Sequence, residues 1–164
     1  MNLLRQWWPL LVVALAFLAD RLSKWWVAGY LAAQGPVRIG AWLTLRETYN
    51  QGLAFGLLQG TGSLMGWLTL LIAALLLFYL VQLPPEMWLM RLGLALIVGG
   101  ALGNMVDRIF SGRVLDFFET PFRQGIFNVA DICINVGALI CLAGILLQKP
   151  AGAGSLPPEE VPPL

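Results

Sequence analysis

The chain contains no histidine. That absence removes Ser-His and Cys-His nucleophilic catalysis and the HExxH zinc site together. Cysteine is scarce as well: Cys133 and Cys141 are the two there are, both in one apolar segment. Eight residues of helix would hold them about 12 Å apart, beyond disulfide reach. Neither has a metal-ligating neighbour, so both read as small packing residues, and no metal or other cofactor is expected. Charge is thin too, at 12% of residues, where soluble domains carry about a quarter. The net charge of +1 comes without a basic cluster, which excludes nucleic acid as a partner.

What fills the chain instead is apolar. Hydrophobic residues make up 59% of it, and the mean hydropathy is +0.77. From Thr48 to Pro85 no charged residue occurs, whereas a membrane span takes about 20 apolar residues. These features predict an integral membrane protein whose fold class is all-α, with four transmembrane helices at about 8–32, 63–82, 87–109 and 126–148. A small β-sheet segment and loop, about 34–61, lies between helices 1 and 2. Residues 1–148 form one membrane domain, and the Pro/Gly-rich tail 149–164 reads as disordered.

The first span opens like a signal peptide, with Arg5 before an apolar run to Ala19. No small-residue cleavage site follows, and apolar character resumes at Trp25-Trp26-Val27, so the helix is read as retained. Asp20, Arg21 and Lys24 inside it must face protein or water. Asp20 and Lys24, spaced i, i+4, suit a structural polar pair. In 34–61, Val37-Arg38-Ile39 and Trp42 to Arg46 alternate in part as short strands do, with turns at Gly35-Pro36 and Gly40. A small sheet on the membrane surface is expected there, followed by the loop Tyr49-Asn50-Gln51-Gly52. Pro84-Pro85 ends the second span. In the third, Gly93, Gly99, Gly100 and Gly103 offer a surface on which neighbouring helices can approach closely.

Few polar residues lie at membrane depth. Asn104, Asp107 and Arg108 share one face at the end of the third helix, and Asn128, Asp131 and Asn135, spaced i, i+3, i+7, repeat that arrangement at the start of the fourth. The connection 109–126, read as a loop, carries Asp116 between them. Two carboxylates held close cannot both ionise cheaply; one can then activate water while the other donates a proton. Ser23 and Lys24 are adjacent, about 100° apart on a helix, which disfavours a Ser-Lys pair. Intramembrane carboxylates also mark ion paths, so spacing alone leaves a proton- or cation-coupled transporter as open as a peptidase.

Five motifs occur in order: Asp20-x-x-x-Lys24, Asn50-Gln51-Gly52-Leu53-Ala54-Phe55-Gly56, the run from Gly99 to Arg108 with Asn104-x-x-Asp107-Arg108, Gly112-Arg113-Val114-Leu115-Asp116-Phe117, and Phe127-Asn128-Val129-Ala130-Asp131. In these the chain closely resembles the bacterial lipoprotein signal peptidases, the type II signal peptidases, over about Leu15 to Gly137. Leu115 stands where that family often has valine, and Arg113 where histidine is common. The resemblance implies an aspartic endopeptidase of the inner membrane, a monomer with both termini cytoplasmic and its site near the periplasmic leaflet. It would cut diacylglyceryl-modified prolipoproteins before the lipidated cysteine, and globomycin would inhibit it. The catalytic pair it implies is Asp116 and Asp131, with Asn50, Gly52, Asn104, Asp107, Arg108 and Asn128 binding substrate or supporting the pair. Asp107 and Arg108 are expected to form an ion pair. Charge does not support the orientation: Arg5, Arg91 and Lys149 on one side face Arg38, Arg46, Arg113 and Arg123 on the other, which leans against the positive-inside rule.

Overall fold

A computed structural model describes residues 3–51 and 62–148. Gly52, Gly56 and the tail 149–164 fall outside the described residues. The element order is α1 (Leu3–Gln34), β1 (Val37–Ile39), β2 (Leu43–Asn50), α2 (Gly62–Gln82), α3 (Trp88–Ser111), β3 (Val114–Glu119) and α4 (Val129–Leu147). The fold is mostly helical, with one three-stranded antiparallel sheet in the order β1-β2-β3.

Three helices among the described residues, α2, α3 and α4, are long and apolar enough to cross a membrane. Half of the apolar window of α3 is buried inside the fold, against 17% for α2 and for α4, so α3 is the central helix. The outer faces of α2 and α4 are lined by exposed residues such as Leu68, Leu71, Leu75, Leu139 and Ile145. Such a surface suits hydrocarbon. α1 is longer, at 32 residues, or about 48 Å, but it carries Asp20, Arg21 and Lys24 and is not one of the three. Whether it too spans depends on how those charges are neutralised.

Glycine decides how closely the helices pack. A Cβ built on Gly93 would lie 2.6 Å from the Gly137 carbonyl oxygen of α4 and 2.5 Å from Cys141 Sγ. One on Gly99 would lie 2.6 Å from Ala16 Cβ of α1. Backbones therefore meet where only hydrogen fits, the usual device of helices that pack in lipid. Cys133 and Cys141 are free thiols. At the end away from the sheet, Val13, Leu80, Leu83, Leu94, Ala95 and Val98 form an apolar core. There the buried Arg91 donates to the Gln6 carbonyl and lies over the Trp8 ring, tying α3 to α1.

The sheet sits on the last turns of α1. Val27 and Leu31 pack with Leu45, Leu115 and Phe117 in a second core. The expected β1–β2 hairpin is formed, with Arg38 opposite Thr44. The third strand departs from the expectation of a loop over 109–126. Val114–Glu119 pairs along β2, with Thr48 opposite Asp116 and Asn50 opposite Val114. Gly112 makes the reversal into it: it caps α3 at φ 69°, donating its N–H to the Arg108 carbonyl. A side chain is strained at that φ. The connection between α3 and α4 therefore delivers Asp116 on a hydrogen-bonded strand.

Candidate active site

α4 begins with a capping box. Asn128, in extended backbone, accepts from the Asp131 N–H at 2.9 Å, and Asp131 Oδ2 accepts from the Asn128 N–H at 3.2 Å. Each side chain satisfies a donor that the helix start leaves without an intrahelical partner. This arrangement also holds the Asp131 carboxylate at the positive end of the helix dipole. The Asn128 amide is then free to reach elsewhere. Its Nδ2 donates to Asp116 Oδ1 at 2.6 Å, with Asn104 Oδ1 at 3.1 Å and the Leu115 carbonyl at 3.3 Å.

Asp116 and Asp131 are thus bridged by one residue, through its side chain to the first and its backbone to the second. Asn104 of α3 donates to Asp131 Oδ1 at 3.0 Å. Asn50, diagonal to Asp116 across the β2–β3 pairing, donates to Asp116 Oδ2 at 3.4 Å. Asp116 is buried, with 4% exposure. Burial, and then the charge of Asp131, push its pKa up to about 6, against the opposing pull of the Asn128 and Asn50 hydrogen bonds and of Lys24.

Asp20 and Asp107 are handled differently. Lys24 Nζ lies 2.8 Å from Asp20 Oδ2, 2.8 Å from Asp107 Oδ2 and 2.9 Å from Asn104 Oδ1. Arg21 forms a second ion pair with Asp107, and Asp20 Oδ1 accepts from the Ala130 N–H at 3.0 Å. Two cations and two carboxylates cancel inside the bundle, which is what a charged stretch of α1 requires at membrane depth. The expected Asp107–Arg108 ion pair is not formed. Adjacent helical residues point about 100° apart, and Asp107 turns to α1 while Arg108 lies near enough to Asp131, Asp116 and Asp107 to feel all three charges.

The structure therefore brings together Asn50, Asn104, Asp107, Asp116, Asn128, Asp131, Asp20 and Lys24, with Arg108 beside them. Gly52 lies outside the described residues. Arg21, noted from sequence only as a charge that must face protein or water, and the Ala130 backbone N–H also belong to the network. Arg21 follows Asp20, but its partner is 86 residues away, and no periodicity reveals that. The Asn-x-x-Asp spacing at Asn128 did carry a capping signal. Among the described residues no three Cys, Asp or Glu side chains converge closely enough to hold a metal ion.

The family described as Signal peptidase (SPase) II matches residues 12–147 of the chain. The chain belongs to that family. Curated relatives agree: the lipoprotein signal peptidase of Moorella thermoacetica is 39% identical over 146 residues, covering 88% of this chain and 95% of the relative. That of Clostridium acetobutylicum is 35% identical over 144 residues, covering 85% and 94%, and that of Shewanella loihica 35% over 158 residues, covering 91% of each. A solved bacterial membrane enzyme superposes with a TM-score of 0.72 at 26% identity, covering 84% of this chain and 87% of that one. A second, at 24% identity and a TM-score of 0.71, shares the fold. A signal peptidase II is a peptidase and a multi-pass bacterial membrane protein, so the transporter reading of the carboxylates falls away.

Proposed function

We propose that this signal peptidase II is an aspartic endopeptidase that removes the signal peptide from diacylglyceryl-modified prolipoproteins, cutting before the lipidated cysteine, with Asp116 and Asp131 as its catalytic pair. One observation carries the choice of pair. Of the four aspartates, Asp20 and Asp107 are each ion-paired to Lys24 or Arg21, while Asp116 and Asp131 have no cation within 4 Å among the described residues and are joined through Asn128. A carboxylate locked to a buried cation cannot cycle as acid and base. The other two can.

Asp116 keeps its proton to about pH 6 and donates it to the scissile carbonyl oxygen. Asp131 takes a proton from the water that attacks the carbonyl carbon; as the tetrahedral intermediate collapses it gives that proton to the leaving amine, and Asp116 takes one back from an intermediate hydroxyl as the C=O re-forms. Asn104 and Asn128 hold both carboxylates in register. α1 then serves as a fourth span, its charges neutralised by α3. In this reading the protein works as a monomer in the inner membrane with both termini cytoplasmic, the sheet end facing the periplasm, and globomycin blocking the site.

The test is cleavage of a diacylglyceryl-modified precursor by purified protein. Asp116→Asn and Asp131→Asn should each lower kcat by at least about 10²-fold while the protein stays folded. The double variant should be little worse than either alone, because the groups act as one unit. Near-normal turnover by Asp116→Asn would overturn the assignment.

A further inference from the structure

Beyond the aspartate pair and the ion cluster, a polar side chain of α4 has no part in the chemistry. Asn135 lies on α4 four residues past Asp131 and is exposed. At 100° per residue it stands about 40° round the helix from Asp131 and about 160° from Gly137. A Cβ on Gly137 would lie 2.5 Å from the Gly93 carbonyl oxygen, so that face belongs to α3. Asn135 therefore faces outward on the side of Asp131, about 6 Å deeper along the helix. Its neighbours on this surface, Ile132, Val136 and Leu139, are exposed and apolar.

One N–H of the Asn135 amide donates to the Asp131 carbonyl at 2.7 Å, a back-bond that fixes the side chain against the helix. It is the one hydrogen bond of this side chain among the described residues, so the second N–H of the exposed amide is left for an outside acceptor. An amide facing hydrocarbon without a partner is unfavourable, and polar groups held at that depth mark function more often than packing.

We propose that Asn135 binds the diacylglyceryl group of the substrate, donating its outward N–H to an ester carbonyl. The inference rests on the reading of the pair given above. With the scissile peptide between Asp116 and Asp131, the thioether-linked glycerol on the following cysteine hangs towards the bilayer. Its polar atoms are one thioether sulfur and the ester oxygens, which accept hydrogen bonds and donate none. Recognition needs a donor about one helical turn deeper than Asp131, on the bilayer side. Asn135 supplies it, and the aliphatic side chains around it cannot.

The test uses the full-length enzyme in lipid nanodiscs with two precursors of identical peptide sequence, one bearing diacylglyceryl esters and one the dialkyl ether analogue, which lacks the carbonyls. A neutral hydrogen bond predicts a KM for the ether form about 3- to 10-fold higher with wild-type enzyme. Asn135→Leu should raise KM for the ester form by a similar factor, leave kcat little changed and erase the difference between the two substrates. A purely structural role would not make the effect depend on the ester. Asn135→Ala, assayed alongside at matched inserted protein, gives the same ratio should the leucine variant fold poorly. Equal KM for both substrates with wild-type enzyme, or discrimination retained by the variants, overturns the proposal. Cleavage of neither substrate by the wild type would instead overturn the reading of the function itself.

Discussion

Asn128→Ser separates two jobs of one residue. Serine keeps an oxygen that can accept from the Asp131 N–H, so the cap of α4 survives. It loses the amide that donates to Asp116 Oδ1 at 2.6 Å. That bond favours the ionised carboxylate, and losing it must raise the pKa of Asp116 further above about 6. A hydrogen bond to a charged group is worth about 1.5–3 kcal/mol, and one pK unit corresponds to about 1.4 kcal/mol, so the rise should be about 1–2 units. Asp116 is the acid in the proposed mechanism, and its proton is lost on the alkaline side. The alkaline limb of kcat should therefore move upward, from about pH 6 in the wild type to roughly 7–8 in the variant. The plateau rate should fall because the pair is less well held. Asn50→Ala, removing the longer 3.4 Å bond, should shift the limb the same way by less. An alkaline limb that stays put or moves to lower pH in Asn128→Ser would refute Asp116 as the group that holds the proton.

A methyl group at position 103 should be poorly tolerated. A Cβ there would lie 2.4 Å from Asp20 Oδ2, so Gly103→Ala should push Asp20 off Lys24 and the Ala130 N–H, lowering thermal stability by about 1–3 kcal/mol, as overpacking does, which a melting curve in detergent reads. Topology is open to thiol labelling in a background with Cys133 and Cys141 replaced. Gln124→Cys should label from the periplasm and Ser155→Cys from the cytoplasm, and the reverse pattern would invert the proposed orientation despite leaving the fold intact.

The long helices were legible because an apolar run bounded by Pro84-Pro85 or by charge has few alternatives in lipid. α2 and α3 begin and end within two residues of expectation, while α1 starts five residues earlier, at Leu3. The hairpin was legible because part of it is open to solvent and its residues alternate. β3 was not. Val114, Leu115, Asp116 and Phe117 are all buried, so the strand has no polar face and no period-2 signal, and a short apolar run holding one aspartate reads as connection. The convergence of Asn104, Asp116, Asn128 and Asp131 could be anticipated because all lie on or between two consecutive helices. The partner of Asp107 could not, because α1 reaches it from the far end of the chain.

That partner can be tested by charge balance. Asp20, Asp107, Lys24 and Arg21 form a neutral cluster in which the side chains of Asp20 and Lys24 are 0% and 3% exposed and that of Asp107 is 11%. Asp107→Asn leaves Lys24 and Arg21 with a single carboxylate between them. Breaking a buried pair on one side costs about 3–5 kcal/mol, and the 32% exposure of Arg21 allows water to relieve part of it, so the low end of that range is expected. Arg21→Gln in the same background restores neutrality and should recover part of the loss, giving a favourable coupling energy in a double-mutant cycle. Arg108→Gln in that background should recover none of it, because Arg108 does not pair with Asp107. Instead it removes a cation that feels the charges of Asp131 and Asp116, the proposed catalytic pair, and should lower activity. Melting temperatures of the wild type, Asp107→Asn, Arg21→Gln and the two double variants, measured at matched detergent and pH, decide the matter. Recovery by Arg108→Gln and not by Arg21→Gln would mean that Asp107 belongs with its sequence neighbour after all, and that the neutral cluster holding α1 against α3 is misassigned.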